Sequence, residues 1–139
     1  MAAPQSASAL RRRLQQRGFP EEVAAAAVAA MAARGYVDDA ALAGSIAARR
    51  QRAGHGRIRV AAELRVRGVA DEAITGTLDG VDAEAERAAA LALGRRLAER
   101  ADPSPDPRRR SQRMGAALQR RGFDGDTVTW VLRQLEREA

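Results

Sequence analysis

The amino-acid sequence predicts an all-α protein in which about eight helices form three tandem helical modules arranged as a curved repeat array. Alanine supplies 33 of the 139 residues and arginine 24, and both residue types favour helices. The motif Leu-x-x-Arg-Gly, followed by an apolar residue, begins at Leu14, Leu64 and Leu118. Leu, Ile, Val and Phe together number only 25, or 18% of the chain, so the predicted core is thin and rich in alanine.

The repeated motif predicts a helix, a stop and a second helix. Arginine suits the last turn of a helix, and the glycine that follows suits the left-handed position just beyond it. An acidic residue lies four positions after each glycine, where it favours the first turn of the next helix: Glu22, Glu72 and Asp126. The spacings of 50 and 54 residues lie at the edge of the range for helical repeat arrays.

The helices are predicted, in chain order, at residues 7–17, 20–34, 38–53, 57–67, 71–80, 83–101, 107–121 and 125–137. The first and second flank Gly18, the fourth and fifth flank Gly68, and the last two flank Gly122. The modules are predicted at residues 1–35, 36–80 and 81–139.

Other helix ends follow from breakers and caps. Gly35 ends the second helix, and Asp38 and Asp39 are expected to cap the third. A tight turn at Gly54-His55-Gly56 precedes the fourth helix, and the prolines between residues 102 and 107 end the sixth. Apolar residues in the last helix follow helical spacing: Val128, Val131, Leu132 and Leu135.

Four aromatic residues are available for packing or binding. Phe19 and Phe123 occupy equivalent repeat positions and are expected in the core, and Tyr36 is expected there with its hydroxyl in water. Trp130 lies off the apolar stripe of its helix, so it packs on a neighbouring repeat or contacts a partner. This is too few aromatics for a base-stacking platform.

The composition excludes several chemistries. The chain has no cysteine and one histidine, His55, so it lacks a thiolate nucleophile, a Cys-ligated zinc and a two-histidine metal site. Without lysine it has no P-loop lysine and no Schiff-base lysine. We therefore expect no catalytic residues, no cofactor and no metal.

The sequence contains no apolar run of 18 residues, and Met1 to Leu10 does not follow the pattern of a secretory signal. We therefore expect a cytoplasmic protein with no membrane partner.

The arginines are concentrated in blocks. Residues 49–67 hold seven against one acid, Glu63, an excess equal to the net charge of +6. Residues 108–121 hold six and residues 11–17 hold four, with no acid in either block. Such blocks indicate a polyanionic partner, either nucleic acid or an acidic protein surface, although a solvated helix face also explains any single block.

Several segments together resemble the RecX family. They are Arg34–Asp39 (RGYVDD), Ala48–Gly56 (ARRQRAGHG), Ala62–Val69 (AELRVRGV) and the helical hairpin from Leu118 to Leu135. The resemblance covers about residues 10–137.

The chain departs from the family pattern at three positions of the central module. Arg57 stands where proline is usual, Ala61 where a basic residue is usual, and Leu42 where phenylalanine is usual. The first module also lacks an obvious first helix.

The resemblance implies a small, non-enzymatic regulator with three tandem three-helix modules. RecX proteins bind the filament that the RecA recombinase forms on single-stranded DNA, inhibit its ATPase, strand exchange and co-protease activity, and favour filament disassembly. It implies a role in DNA recombination, DNA repair and the SOS response, and we expect a monomer. The residues expected to meet phosphate or acidic protein are Arg49, Arg50, Arg52, Arg57, Arg59, Arg65 and Arg67, with Arg108, Arg109, Arg110 and Arg113 extending the contact.

Two alternatives stay open on the residues alone. One is a general nucleic-acid-binding helical module without filament specificity, which would bind bare DNA and leave the RecA ATPase unchanged. The other is an adaptor whose arginines contact acidic protein partners, which would show no DNA affinity at low salt.

Overall fold

The computed structural model describes residues 6–34, 37–101 and 106–139, and every regular element in these ranges is an α-helix. The helices are α1 (Ala7–Gln16), α2 (Glu21–Ala33), α3 (Asp39–Arg52), α4 (Arg57–Val66), α5 (Asp71–Asp79), α6 (Ala83–Arg100), α7 (Pro107–Arg120) and α8 (Gly125–Glu138). Each predicted helix is present, with no end displaced by more than one residue, so the predicted all-α repeat fold is confirmed. The predictions for Gly35, Tyr36 and residues 102–105 lie outside the described residues.

The repeated motif is a helix C-cap of the Schellman type. Gly18, Gly68 and Gly122 have φ of +98°, +79° and +94°, as predicted for a left-handed position. The residue after each glycine donates its N–H to the carbonyl of the motif leucine, at 3.2, 3.0 and 3.3 Å. The predicted turn after α3 has the same form, because Gly54 has φ +85° and the His55 N–H donates to the Arg50 carbonyl at 3.0 Å.

The chain divides into two compact units, and the division into three modules stays a prediction. Unit 1 comprises Met1–Ala48 and Ala61–Gly80. In it α1 packs against α2, and the Ser6 hydroxyl caps α1 by accepting from the Ala9 N–H at 3.1 Å. Its most buried large apolar residues include Leu42, Ile46, Leu64, Val69 and Ile74.

Asp38 and Asp39 have different roles at the start of α3. The Asp38 carboxylate accepts from the Ala41 N–H at 3.0 Å, which confirms the predicted cap. The Asp39 carboxylate instead accepts from the N–H groups of Ala7, at 3.0 Å, and Ala70, at 3.2 Å. Asp39 therefore connects the starts of α1 and α5 to the start of α3. The sequence predicted only that it caps α3.

Unit 2 comprises Arg49–Val60 and Val81–Ala139. Its helices α6, α7 and α8 pack against one another around a core of Ala90, Leu93, Leu118, Phe123, Val128 and Val131. Phe123 is only 2% exposed, as predicted. Trp130 is half-buried against this core, and the Arg87 guanidinium lies 5.6 Å from the centroid of its ring, so Trp130 packs within its own repeat.

The prediction that Phe19 lies in the core is wrong, because its side chain is 49% exposed. Phe123 follows a glycine against which the start of α4 is packed, whereas no described atom lies within 4 Å of a Cβ built on Gly18. Among the described residues, none packs against Gly18 as closely as Arg59 packs against Gly122.

Candidate functional site

The seven arginines of the central block fall into both compact units. Arg49, Arg50, Arg52, Arg57 and Arg59 belong to unit 2. Arg65 and Arg67, in the second half of α4 and just after it, belong to unit 1. The block therefore contributes to two groups of basic side chains, which are described separately below.

In unit 2, the turn between α3 and α4 packs against the turn between α7 and α8. The Gly56 N–H donates to the Arg121 carbonyl at 2.8 Å, and the Ile58 N–H donates to the Gly122 carbonyl at 3.0 Å. A Cβ on Gly56 would lie 2.5 Å from the Gly122 carbonyl oxygen, so glycine is required for this approach.

This packing brings further arginines to the α3–α4 turn. The Arg59 guanidinium donates to the Arg120 carbonyl, and the Arg121 guanidinium donates to the Ala53 carbonyl, each at 3.4 Å. Arg120 and Arg121 belong to a basic block recognised in the sequence, but were not among the predicted site residues. Two sequence signals could have included them: the basic block of residues 108–121, and the repeat motif whose glycine they precede.

Arg57 has a structural role as well as a positive charge. Its backbone N–H donates to Oε1 of Glu86 at 2.6 Å, and its Nε lies 3.8 Å from Oε2 of the same carboxylate. The Glu86 side chain is only 10% exposed, so removing Arg57 would leave a largely buried carboxylate without this partner. Arg59, which is exposed, is therefore a better test of the proposed ligand contact than Arg57.

Unit 1 contains a basic cleft of about 490 Å³ beside α1. Arg12, Arg13, Gln16 and Arg67 line it together with Ser6 and apolar residues. Guanidinium groups and an amide donate several hydrogen bonds, which suits a phosphate oxygen or a carboxylate. Arg12 and Arg13 lie in the basic block of residues 11–17, which was not among the predicted site residues.

Arg67 is held at this cleft by two interactions. Its carbonyl accepts from the Ser6 hydroxyl at 2.5 Å, and its guanidinium is 3.3 Å from the Glu63 carboxylate. The Arg67 side chain is still 44% exposed, and an ion pair on the surface contributes little stability. The group therefore keeps access to a ligand.

The remaining predicted arginines lie on the first half of α7. Arg108, Arg109, Arg110 and Arg113 are all exposed, and the first turn of α7 contains no acidic residue. The Asp106 carboxylate caps the helix by accepting from the Arg108 N–H at 3.0 Å. Cations are unfavourable in the first turn of a helix, so helix stability does not explain Arg108, Arg109 and Arg110. By contrast, Arg49, Arg50 and Arg52 lie in the last turn of α3, where the helix dipole favours them.

The described residues contain no group of three or more His, Cys, Asp or Glu side chains that could hold a metal ion. Among the same residues, no helix has both the length and the apolar character needed to cross a membrane. The chemistry available at the two basic groups is hydrogen bonding and charge pairing with anions.

Comparisons with known proteins agree on one family. The model of "RecX, second three-helix domain" matches residues 38–78, and that of "RecX, third three-helix domain" matches residues 84–132. The chain is 37% identical over 121 residues to "Regulatory protein RecX" of Mycobacterium avium, covering 86% of this chain and 70% of that protein. It is 38% identical over 121 residues to "Regulatory protein RecX" of Stenotrophomonas maltophilia, covering 86% and 71%.

Two crystal structures have the same fold. RecX from Lactobacillus salivarius superposes with a TM-score of 0.85 at 15% identity, covering 96% of this chain and 87% of that one. A second structure, described as regulatory protein RecX, superposes with a TM-score of 0.76 at 22% identity, covering 93% and 64%.

Proposed function

Because the chain belongs to the RecX family of regulatory proteins, we propose that it inhibits the RecA recombinase by binding the filament that RecA forms on single-stranded DNA. The match to RecX relatives across most of both chains is the observation that carries this proposal. The protein acts without chemistry of its own: it occupies the filament, lowers ATP hydrolysis, strand exchange and co-protease activity, and favours disassembly. It works as a cytoplasmic monomer in recombination, DNA repair and the SOS response.

The arginine groups support a filament ligand because such a filament carries both phosphates and acidic protein side chains. A guanidinium stays charged at any working pH and binds phosphate or carboxylate through two parallel hydrogen bonds. We propose that the predicted residues of both units make the contact, together with Arg12 and Arg13, which line the same cleft as Arg67, and Arg120 and Arg121, which lie beside the α3–α4 turn. The exposed arginines at the start of α7 extend it, since their position is costly for the helix alone.

The test is the ATPase rate of RecA on single-stranded DNA, titrated with the full chain. The variant Arg52→Ala/Arg59→Ala/Arg65→Ala removes three exposed cations and leaves the Arg57–Glu86 interaction in place. We expect the half-inhibitory concentration to rise at least about tenfold, equivalent to about 1.4 kcal/mol. The log–log salt dependence of binding should flatten by up to about 0.7 for each phosphate that the variant no longer neutralises.

The matched control is Arg96→Ala/Arg133→Ala/Arg137→Ala, which removes the same charge from exposed positions outside the predicted blocks. Its half-inhibitory concentration should lie within about twofold of the wild-type value, since these side chains lie outside the proposed contact. Equal inhibition by the first variant and the wild type would remove residues 49–67 from the contact.

The wild-type titration also separates the alternatives. Binding to a labelled oligo(dT) without any effect on the ATPase would favour a general nucleic-acid-binding module. Neither DNA binding at low salt nor ATPase inhibition would favour an adaptor for acidic proteins.

A further inference from the structure

Unit 2 also contains a groove with a mainly apolar lining, which hydrogen bonding of arginines to anions does not account for. It has a volume of about 640 Å³ and lies along the last turns of α6, the first half of α7 and the last half of α8. Its apolar lining includes Leu97, Met114, Leu132 and Leu135. These leucines and the methionine pack their inner sides on the core of unit 2 and leave part of their surface open to the groove.

The helices that line the groove are longer than their counterparts in the preceding repeat, and the additional residues of α7 and α8 form part of its lining. α6 has 18 residues where α3 has 14, α7 has 14 where α4 has 10, and α8 has 14 where α5 has 9. When Leu118 is matched to Leu64, the additional turn of α7 is residues 107–110. On the same match, the additional part of α8 is residues 134–138. Pro107 and Leu135 of the lining lie in these additional residues, so part of the groove has no counterpart in the preceding repeat.

The rim of the groove is positive. Arg100, Arg110 and Arg113 line it, and Glu136 is the one acidic side chain among the described lining residues. Arginines beside an apolar groove complement a ligand that carries carboxylates on either side of apolar side chains.

The lining favours a peptide over a nucleic acid. No phenylalanine, tyrosine or tryptophan is among the described lining residues, so the groove offers no ring on which a base could stack. Aliphatic walls between three helices instead match the way an amphipathic helix inserts apolar side chains into a groove.

We propose that this groove binds an acidic amphipathic helix of a partner protein, with leucine-like side chains against α6, α7 and α8 and carboxylates on Arg100, Arg110 and Arg113. The proposal concerns a protein ligand and does not require that the arginine clusters bind single-stranded DNA, but it shares Arg110 and Arg113 with the filament contact proposed above.

The experiment uses the full chain and a labelled model peptide of about 15 residues, roughly four helical turns. The peptide carries leucine at i, i+3, i+4 and i+7, glutamate on the flanking positions and alanine elsewhere. A second peptide replaces every glutamate by lysine. Fluorescence anisotropy should show binding of the acidic peptide with a Kd below about 1 mM and at least tenfold weaker binding of the basic one.

Two variants of the chain test the groove. Arg100→Glu/Arg113→Glu reverses the charge of the rim, and Ala98→Trp places a large ring in the groove from an exposed helical position. Each variant should raise the Kd of the acidic peptide at least about tenfold. The far-UV circular dichroism should be unchanged. The control Arg96→Glu/Arg133→Glu makes the same charge change at exposed positions of α6 and α8 outside the groove. Its Kd for the acidic peptide should stay within about twofold of the wild-type value.

Three results would overturn the proposal: no binding of the acidic peptide up to about 1 mM, equal binding of the basic peptide, or equal weakening in the control variant. Weaker oligo(dT) binding by the rim variant, with no peptide binding by the wild type, would assign these arginines to a nucleic acid. A stable dimer that the peptide fails to displace, and that Ala98→Trp dissociates, would assign the groove to a second copy of the chain. Failure here leaves the RecA ATPase result untouched, because the two readouts share no ligand.

Discussion

The turn after α1 and the turn after α7 have nearly the same sequence and backbone but different surroundings. Gly18 and Gly122 have φ of +98° and +94°, and each is followed by phenylalanine. A Cβ on Gly122 would lie 2.5 Å from the Arg59 nitrogen, while no described atom lies within 4 Å of a Cβ on Gly18. Phe123 is 2% exposed and Phe19 is 49% exposed.

The difference teaches that the motif encodes the turn, whereas burial depends on the surrounding helices: Phe123 belongs to the core that α6, α7 and α8 form. In unit 2 the start of α4 packs on the Gly122 turn through the Gly56 and Ile58 N–H groups. In unit 1 the start of α1 contacts the Gly68 turn through the Ser6 hydroxyl, and a Cβ on Gly68 would lie 3.0 Å from the Ser8 Cβ. The same kind of packing therefore occurs once in each unit, and among the described residues the Gly18 turn has no counterpart of it.

The largest expected difference is between the two phenylalanines. Phe123→Ala should destabilise the protein by about 3–5 kcal/mol, since it opens a cavity in a closed core. Phe19→Ala should cost about 1 kcal/mol, since half of the ring is already in water. Urea unfolding of both variants measures the two losses of unfolding free energy. Equal losses would mean that Phe19 is packed as tightly as Phe123.

The three motif glycines should form a graded series. Changing any of them to alanine forces a residue with a Cβ into the left-handed region, which costs about 1–2 kcal/mol, and Gly18→Ala should cost no more than that. Gly68→Ala should cost more, and Gly122→Ala about 3 kcal/mol or more, because its Cβ meets the backbone of Arg59.

Melting temperatures measured on the three variants test this order. A decrease for Gly18→Ala as large as that for Gly122→Ala would show that the docked helix start adds nothing to the cost.

A smaller difference is expected from the caps that follow the turns. The Asp124 carboxylate caps α8 by accepting from the Thr127 N–H at 2.8 Å, while the residues that precede α2 and α5, Pro20 and Ala70, make no side-chain cap. Asp124→Ala should cost about 1 kcal/mol at pH 7.

The contribution of Asp124 should depend on pH. The hydrogen bond from the Thr127 N–H lowers the pKa of Asp124, with a smaller contribution from the charges of Arg57 and Arg87. Because the pKa is lower in the folded state, the stabilisation is complete above the unfolded pKa, near about 4, and is lost as the pH falls through the folded pKa. The difference in unfolding free energy between the wild type and Asp124→Ala should therefore shrink as the pH falls below about 4, and a constant difference would contradict the assignment.

The helices and their ends could be predicted because the responsible interactions are local. The bond from the Phe19 N–H to the Leu14 carbonyl, and its two counterparts, span five residues and need only a glycine at the right place. The Asp38 cap likewise bonds a residue three positions away. The RecX resemblance in the sequence rests on the same local patterns and is confirmed by the family comparison.

Only the tertiary structure distinguished residues with the same local sequence or the same charge. Phe19 and Phe123 differ because Phe123 packs in a core with residues of other helices, such as Leu93 of α6, whereas Phe19 is 49% exposed. Arg57 and Arg59 differ because Glu86, 29 residues from Arg57, is the partner of one and not of the other. Asp39 bonds Ala7 across 32 residues. Hydrogen bonds within a turn are determined by neighbouring residues, whereas burial and ion pairing depend on which distant segments pack together, and that is decided by the free energy of the whole fold.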